Sequence, residues 1–191
     1  MGNFLKLAKS RMTTCDYSDK KVSGKALLSI LEAARWAPSS LNLQPWRFIV
    51  VKNRQAIKAL LESAYYGLFH TPPAAIICIA VPREFNDAKK HRGAMKGKLG
   101  YDEAMLNAGM PSILMALAAQ DMGLSTCILT LDEKKIAKLL GMRTGDRVPI
   151  AVGIGHKAGG KQCSGFTHER HPLHNLVDYE KLNIQKVETD G

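Results

Sequence analysis

The sequence contains little cysteine and no long apolar run. Four cysteines occur in 191 residues, and no two of them form a C-x-x-C pair, which argues against a zinc ribbon or a thioredoxin-like motif. The longest uninterrupted apolar run, Ala74–Val81, has eight residues, far fewer than the roughly 20 that a membrane-spanning helix needs. The basic N-terminus lacks the long apolar segment of a secretory signal. We therefore expect no membrane anchor and a cytoplasmic location.

The four cysteines occur singly along the chain. They are widely scattered, at Cys15, Cys78, Cys127 and Cys163. Cys78 and Cys127 lie in apolar, strand-like runs, where cysteine commonly packs as a small buried apolar residue. For Cys15 we expect an ordinary packed or exposed thiol. The pattern is typical of a protein in a reducing compartment.

Sequence motifs for several common chemistries are also missing. Neither a G-x-G-x-x-G nor a Walker motif occurs. His168, His171 and His174 are three residues apart, but Pro172 interrupts any helix that would align them, and no carboxylate or thiol completes a ligand set. We therefore predict no metal site, and we assign no side chain as an indispensable acid or base.

Positive charge is in excess. The chain has 27 Lys and Arg against 17 Asp and Glu, a net charge of +10. Such a balance suits nucleic acid or anionic small molecules such as phosphorylated cofactors. The densest basic segment, Arg83–Lys98, contains no aromatic residue besides Phe85, and we interpret it as a solvated surface. Nucleic acid is therefore the less favoured partner.

Hydrophobic periodicity predicts alternating helices and strands. We expect helices at 3–11, 24–36, 54–63, 102–122 and 132–140, and strands at 47–51, 74–81, 125–131 and 149–154. The helix at 102–122 is apolar on nearly all faces and should be central and buried. Pro111 should kink or break it, and Gly123 should end it. Four strands among helices indicate an α/β or α+β fold with a mixed sheet.

The most informative stretch runs from Trp36 to Val51. A Pro38-Ser39-Ser40 turn follows a helix, and Asn42 and Gln44 follow the turn. Two hydroxyls, two carboxamides and two indoles within eleven residues are more polar side chains than a connector needs. Serines alone often serve only as turn residues. Trp36 and Trp46 are as consistent with core aromatics as with site residues. The two carboxamides nevertheless favour a site for a flat ligand with a polar edge.

The chain resembles the nitroreductase family of flavin-dependent oxidoreductases. The resemblance rests on the segment from Leu31 to Val51, with its Pro-Ser-Ser-x-Asn-x-Gln-Pro-Trp core, and on three weaker segments in the same order as in the family. These begin at Met115, Pro149 and Arg170. The family implies a homodimer with a three-layer, mainly antiparallel α+β fold, here one domain over residues 1–180 with a C-terminal tail at 181–191.

The resemblance also implies a cofactor and its ligands. Family members bind FMN at the dimer interface, and the cofactor supplies the redox chemistry. The Pro38-Ser39-Ser40 turn would come from the partner subunit, and Asn42 and Gln44 would complete the lining. Leu129 and Thr130 would pass the flavin ring with their backbone. Arg170, with His168 two positions earlier, would bind the phosphate, a task that suits the planar guanidinium.

One segment departs from the family pattern. Aligning Tyr17 and Val22 puts the two usual phosphate-binding basic positions on Met12 and Cys15, while Thr13 keeps the hydroxyl position, and Arg11 reaches the first basic position only with a one-residue slip. Loss of one charged hydrogen bond to phosphate weakens binding by about 1.5–3 kcal/mol. Weak FMN binding, a substitute cation or a different ligand all fit this departure.

Two functions are consistent with these patterns. The first is a dimeric oxidoreductase that passes hydride from NAD(P)H through FMN to a small acceptor such as a nitroaromatic or a quinone. The second is a redox-inactive protein of the same fold that binds another nucleotide or an anionic partner. The missing basic pair and the net charge of +10 motivate the second.

Overall fold

The fold is built from short helices around one four-stranded sheet. The computed structural model describes residues 3–65, 69–86, 101–159, 163, 169–177 and 179–180. The helices are α1 Asn3–Ser10, α2 Gly24–Arg35, α3 Arg54–Glu62, α4 Arg83–Asn86, α5 Tyr101–Asp121 and α6 Glu133–Ile136, and the strands are β1 Arg47–Val51, β2 Ala75–Val81, β3 Ser125–Leu129 and β4 Arg147–Gly155. Most of the predicted basic segment, residues 87–98, lies outside the described residues.

The sheet has the strand order β1-β2-β4-β3. All three pairs of neighbouring strands are antiparallel, and a single parallel bridge joins Thr13 to Thr126 beside β3. The strands β1 and β3 therefore form the two edges. The mainly antiparallel sheet predicted from the family is confirmed.

Both faces of the sheet are covered. The strand β2 turns Ile77 and Ile79 towards a core shared with α2 and α5, and its Ile76 and Cys78 towards a second core that includes Ile57 of α3. A strand buried on both faces reads as a continuous apolar run, which is why β2 was predicted correctly from its sequence.

The central helix α5 is continuous through Pro111. Of the kink or break predicted at Pro111, the break does not occur, because α5 packs against α2 on one side and against the sheet on the other, so tertiary contacts outweigh local preference. The Ser112 hydroxyl also donates to the Gly109 carbonyl at 2.7 Å. Gly123 follows the helix with φ of +71°, a left-handed conformation that glycine adopts without strain, as predicted.

The largest other differences from the predicted boundaries are in α6, β3 and β4, and β3 ends at Leu129 rather than at residue 131. The helix α6 ends at Ile136 rather than at residue 140, because the chain continues in turns that close at Gly141 with φ of +64°. The strand β4 starts two residues early and ends one residue late, at Arg147 and Gly155. Beyond residue 169, the described regular structure is a 3-10 turn at Leu173–Asn175.

Candidate functional site

The loop between α2 and β1 has an unusual backbone. Leu41, Asn42 and Gln44 adopt φ angles of 50°, 55° and 47°. Non-glycine residues rarely adopt positive φ, and each such residue costs of order 1–3 kcal/mol that the surrounding structure must offset. Three such residues lie between Leu41 and Gln44. The backbone strain therefore falls in the stretch that was predicted from the sequence to be a site.

Hydrogen bonds within the loop hold this conformation. The Ser39 hydroxyl accepts a bond from the Gln44 backbone N–H at 2.9 Å, and the Gln44 side-chain amide donates to the Asn42 carboxamide oxygen at 3.1 Å. Both carboxamides are exposed. Hydrogen bonds therefore join the predicted residues Ser39, Asn42 and Gln44, in a loop that also contains Pro38 and Ser40 and presents two linked carboxamides on the surface.

The loop is anchored to the central helix by a residue that the sequence did not single out. Asn107 of α5 is 6% exposed, and its side-chain oxygen accepts a bond from the Ser40 backbone N–H at 3.2 Å. A carboxamide within the mostly apolar stretch of α5 was the available signal, since buried polar groups are nearly always hydrogen-bonded.

The two tryptophans near the loop differ in burial. Trp46 is buried at 5% exposure, whereas Trp36 is 73% exposed. The indole N–H of Trp36 donates to Glu32 at 3.0 Å, and the Arg35 guanidinium lies 5.2 Å from its ring centroid. Bonds from Arg35 and then Trp36 lower the pKa of Glu32. Trp46 is a core aromatic, and Trp36 is a surface aromatic held by its neighbours.

A second group of predicted residues lies along the opposite edge of the sheet, in a segment of residues 11–17. Thr13 bridges Thr126 of β3, and the Thr14 N–H donates to the Thr126 carbonyl at 3.0 Å. Arg11 is close enough to Cys127 to favour its thiolate, but burial dominates and raises the pKa of Cys127 to about 11. Arg11 and Thr13 are both half-buried.

Tyr17 fixes the far end of this segment. Its ring is 2% exposed and packs on Gly155, where an added Cβ would lie 2.7 Å from the Tyr17 ring. The Tyr17 hydroxyl is buried and has no hydrogen-bond partner among the described residues, and burial raises its pKa well above the usual value. Thr71 accepts a bond from the Tyr17 N–H and lies 2.9 Å from an Asp16 carboxylate oxygen. The segment is therefore tightly packed.

The prediction for Cys15 is wrong. Cys15 forms a disulfide with Cys163, 148 residues later, with 5.5 Å between the Cα atoms, a distance typical of disulfides. Sequence spacing alone does not identify such a pair. The other two cysteines, Cys78 and Cys127, are buried free thiols as predicted.

The end of β3 lies on the same edge as residues 11–17. Leu129 is 2% exposed in the core below the sheet. The Thr130 carbonyl accepts a bond from the Tyr65 N–H at 3.1 Å. The structure thus brings Arg11, Thr13, Cys15, Leu129 and Thr130 to one edge strand.

The predicted phosphate ligands of the C-terminal segment are described only in part. His168 lies outside the described residues. Arg170 is exposed, and its guanidinium donates to the Glu169 carbonyl at 2.7 Å. His171 and His174 are also exposed. Within the described residues, no three His, Cys, Asp or Glu side chains gather as metal ligands.

The loop and the β3 edge are separated in one chain. The loop leads into β1, whose Phe48 pairs with Ile79 of β2. Ile79 in turn pairs with Ile150 of β4, one residue from the partner of Leu129. Three strand spacings, about 14 Å, thus separate the start of β1 from the end of β3. Leu129 and Thr130 therefore flank the same end of the sheet as the loop, from the opposite edge, whereas Thr13 bridges Thr126 near the start of β3.

Two cavities lie outside the loop. One of about 340 Å³ includes Thr130 in its lining, together with Tyr65 and the ion-paired Arg147 and Glu133. A larger one of about 640 Å³ lies between α3 and the turn before β2, and none of the predicted site residues lines it. Among the described helices, none is both long and apolar enough to cross a bilayer.

Comparison with known proteins agrees with this architecture. The structure matches that of a proposed nitroreductase from Desulfovibrio desulfuricans crystallised in complex with FMN, with a TM-score of 0.74, 27% identity and coverage of 96% of this chain and 99% of that one. The fold is thus that of nitroreductases, an α+β class. The Nitroreductase family profile matches residues 8–156, and the chain belongs to this family.

Two relatives are similar over most of their length. An Archaeoglobus fulgidus protein, proposed to be an NADH dehydrogenase or NAD(P)H nitroreductase, is 30% identical over 162 residues that cover 82% of this chain and 86% of the relative. An NADH dehydrogenase of Thermus thermophilus is 28% identical over 187 residues that cover 84% and 88%. Family membership and an oxidoreductase relationship are therefore confirmed.

Proposed function

We propose that this protein is an FMN-dependent oxidoreductase that passes hydride from NAD(P)H to a small acceptor such as a nitroaromatic or a quinone. The observation that carries the proposal is the strained loop, whose exposed Asn42 and Gln44 carboxamides are held together by a hydrogen bond. Strained backbone of this kind is characteristic of binding sites. Family membership supplies the ligand class, since a relative of the same fold was crystallised with FMN.

The donor set fits FMN. Carboxamides both donate and accept hydrogen bonds, which suits the polar edge of a flavin ring. The Thr13 hydroxyl and the Arg11 and Arg170 guanidiniums suit its phosphate, as does the His168 side chain. When bound, FMN supplies the hydride-transfer chemistry. The chain itself would position the ring with Pro38, Ser39, Ser40, Asn42 and Gln44 and with the backbone of Leu129 and Thr130.

The site is proposed to form between two copies of the chain. The loop and the β3 edge lie on opposite edges of the sheet, so a second copy that supplies the loop would complete the β3 edge. The helix α5 also exposes Leu106, Met110 and Ile113 at 60%, 43% and 43%, positions that share one helix face. Homodimer interfaces are enriched in such apolar surface. A cytoplasmic dimer is the form that we propose.

The reaction is proposed to need no dedicated acid or base. NAD(P)H and the acceptor would occupy one open cavity in turn, and the side chains would act by orienting the reactants and excluding water. The acceptor is defined only by class, as a small electron-poor molecule.

A binding experiment tests the proposal. FMN is titrated into the purified protein, with FMN fluorescence as the readout for binding and NAD(P)H-dependent bleaching of the visible flavin spectrum as the readout for hydride transfer. Asn42→Ala should weaken FMN binding about tenfold, the effect of losing about 1.4 kcal/mol. The matched control is Gln55→Ala, which removes an exposed carboxamide from α3 and should leave binding unchanged.

The competing function rests on a specific observation. Met12 is 42% exposed at one expected basic position, and Cys15 is bonded to Cys163 at the other. A colourless protein that does not take up FMN would contradict the oxidoreductase and favour a redox-inactive binding protein. FMN uptake followed by bleaching with NAD(P)H would exclude that alternative.

A further inference from the structure

The Cys15–Cys163 bond joins two segments that carry different predicted phosphate ligands. Thr13 lies two residues before Cys15, and Arg170 lies seven residues after Cys163. The Cys163 sulfur also lies 3.7 Å from the Thr13 carbonyl oxygen. Seven residues reach at most about 25 Å, so the bond sets an upper limit on how far Arg170 can lie from Cys15.

The N-terminal side of this bond is firmly held. The Cys15 carbonyl accepts a bond from the His70 N–H at 2.9 Å, and the neighbouring Thr14 is bonded to β3. Cys15 itself is 4% exposed. The segment of residues 11–17 therefore keeps its position whether or not the disulfide is present.

On the C-terminal side, the described residues 169–177 lie on the surface. Residues 169–177 are all exposed, with Leu173 and Leu176 at 74% and 64%. The hydrogen bonds of Arg170 and of the turn at 173–175 are local. The chain is also held ahead of Cys163, where the Ala158 N–H donates to the Asp16 carbonyl at 2.9 Å. The bond at Cys163 therefore shortens the stretch between Arg170 and its last described contact with residues 11–17 from twelve residues to seven.

The remaining cysteines are poorly suited to redox exchange. Burial raises the pKa of Cys78 to about 12 and that of Cys127 to about 11. Thiolates are the reactive form, so at neutral pH both stay protonated. Any redox response of the cysteines is thus confined to the pair Cys15–Cys163.

We propose that Cys15–Cys163 is a redox-active disulfide, reducible by small dithiols, whose reduction loosens the grip of the chain on the phosphate of FMN. In this step a dithiol supplies two electrons and two protons, the Cys15–Cys163 bond breaks, two thiols form, and the dithiol closes into its own disulfide. Disulfides of proteins in reducing compartments are typically redox-sensing or catalytic, which agrees with the expected cytoplasmic location.

The effect on affinity follows from the missing basic pair. With Met12 and Cys15 at the usual cationic positions, the phosphate would be bound by Arg11 and Thr13 on one side of the disulfide and mainly by Arg170, with His168, on the other. Cutting the bond releases Arg170 and lowers its effective concentration at the phosphate. We expect FMN to bind about tenfold more weakly after reduction, the effect of losing one charge-assisted contact. This inference rests on the proposed function.

The first part of the test needs no cofactor. Protein purified without reductant should have two free thiols per denatured chain and four after dithiothreitol, and a tryptic digest should contain one peptide with Cys15 joined to one with Cys163. Four thiols in the protein even after mild oxidation would overturn the inference.

The second part measures the dissociation constant of FMN by fluorescence in the oxidised and reduced forms. The wild type and a Cys78→Ala/Cys127→Ala variant should lose about tenfold affinity on reduction, whereas Cys15→Ser/Cys163→Ser should be weak in both conditions. Arg170→Ala should abolish the difference between the two forms, while Lys20→Ala, which removes an exposed charge elsewhere, should preserve it. Circular dichroism should show an intact fold after reduction.

The outcomes separate this inference from the proposed function. Equal FMN affinity of the oxidised and reduced wild type would overturn the redox control and leave the oxidoreductase intact. Absence of FMN binding in both forms would overturn the proposed function and the redox control with it. If Arg170→Ala still binds FMN more weakly after reduction than before, the release of Arg170 is not the cause of the redox effect.

Discussion

The two parts of the candidate site are held in different ways. The loop of residues 38–44 is fixed by local hydrogen bonds and one contact with α5, and it stores its strain in three left-handed residues. The segment of residues 11–17 is fixed by packing on β3 and Gly155, and its Cys15 is bonded to Cys163. Interactions between residues that are close in the sequence can be predicted from it, whereas interactions between distant residues cannot.

Gly155→Ala should have the largest effect, and it acts on residues 11–17. The added Cβ would lie 2.7 Å from the Tyr17 ring and 3.2 Å from the Ala74 backbone nitrogen, and both neighbours are packed. We expect unfolding in urea to show a loss of about 3 kcal/mol. Gly24→Ala is the matched control, because its Cβ would meet nothing within 4 Å. Equal stability of the two variants would show that the Tyr17 ring can shift to make room for the added Cβ.

Asn107→Ala should have the next largest effect, and it acts on the loop. It leaves the Ser40 N–H without its 3.2 Å partner, in a part-buried place. We expect a loss of about 2 kcal/mol in the free energy of unfolding, together with weaker FMN binding because the carboxamides lose their support. Gln120→Ala, on the same helix and half-buried, is the control. Unchanged FMN affinity in Asn107→Ala would show that the loop keeps its conformation without the bond to Asn107.

Ser39→Ala should act on the loop alone and more mildly. It removes the hydroxyl that accepts the Gln44 N–H at 2.9 Å, a neutral hydrogen bond worth about 1 kcal/mol. FMN affinity should fall severalfold while the redox response of the wild type persists. Ser10→Ala, which removes an exposed hydroxyl bonded to the Leu7 carbonyl, should change neither property. Loss of the redox response in Ser39→Ala would mean that the two regions are not independent.

Arg143→Met should have the smallest effect and should touch neither region. Arg143 pairs with Glu84 and Asp146 at 2.7 and 2.9 Å, and its hydrogen bonds hold the pKa of Asp146 well below the usual value. A lowered folded-state pKa adds stability above the ordinary range of aspartate, and that stability is lost as the pH falls. Arg143→Met should therefore be less stable than wild type at pH 7, with the difference shrinking towards pH 3 in urea titrations. Altered FMN binding would contradict its assignment outside the site.

The contrast between the regions explains what the sequence could reveal. The loop was predicted as a candidate site because its Ser, Asn and Gln residues lie close together in the sequence. The strand β2 was predicted because both of its faces are apolar. The disulfide was missed because 148 residues separate Cys15 from Cys163. The continuity of α5 through Pro111 was missed because it depends on packing against α2 and the sheet. Asn107 was missed because its partner, Ser40, lies 67 residues earlier in the chain.

Sedimentation velocity monitored at the visible absorbance of flavin tests most directly whether two copies of this chain hold FMN between them. If the loop of one copy completes the β3 edge of the other, flavin absorbance should sediment with a species of twice the chain mass. In the Asn42→Ala variant, much of the flavin should be unbound and should not sediment with the protein. Flavin that sediments with a single chain, or a dimer that leaves flavin unsedimented, would contradict it.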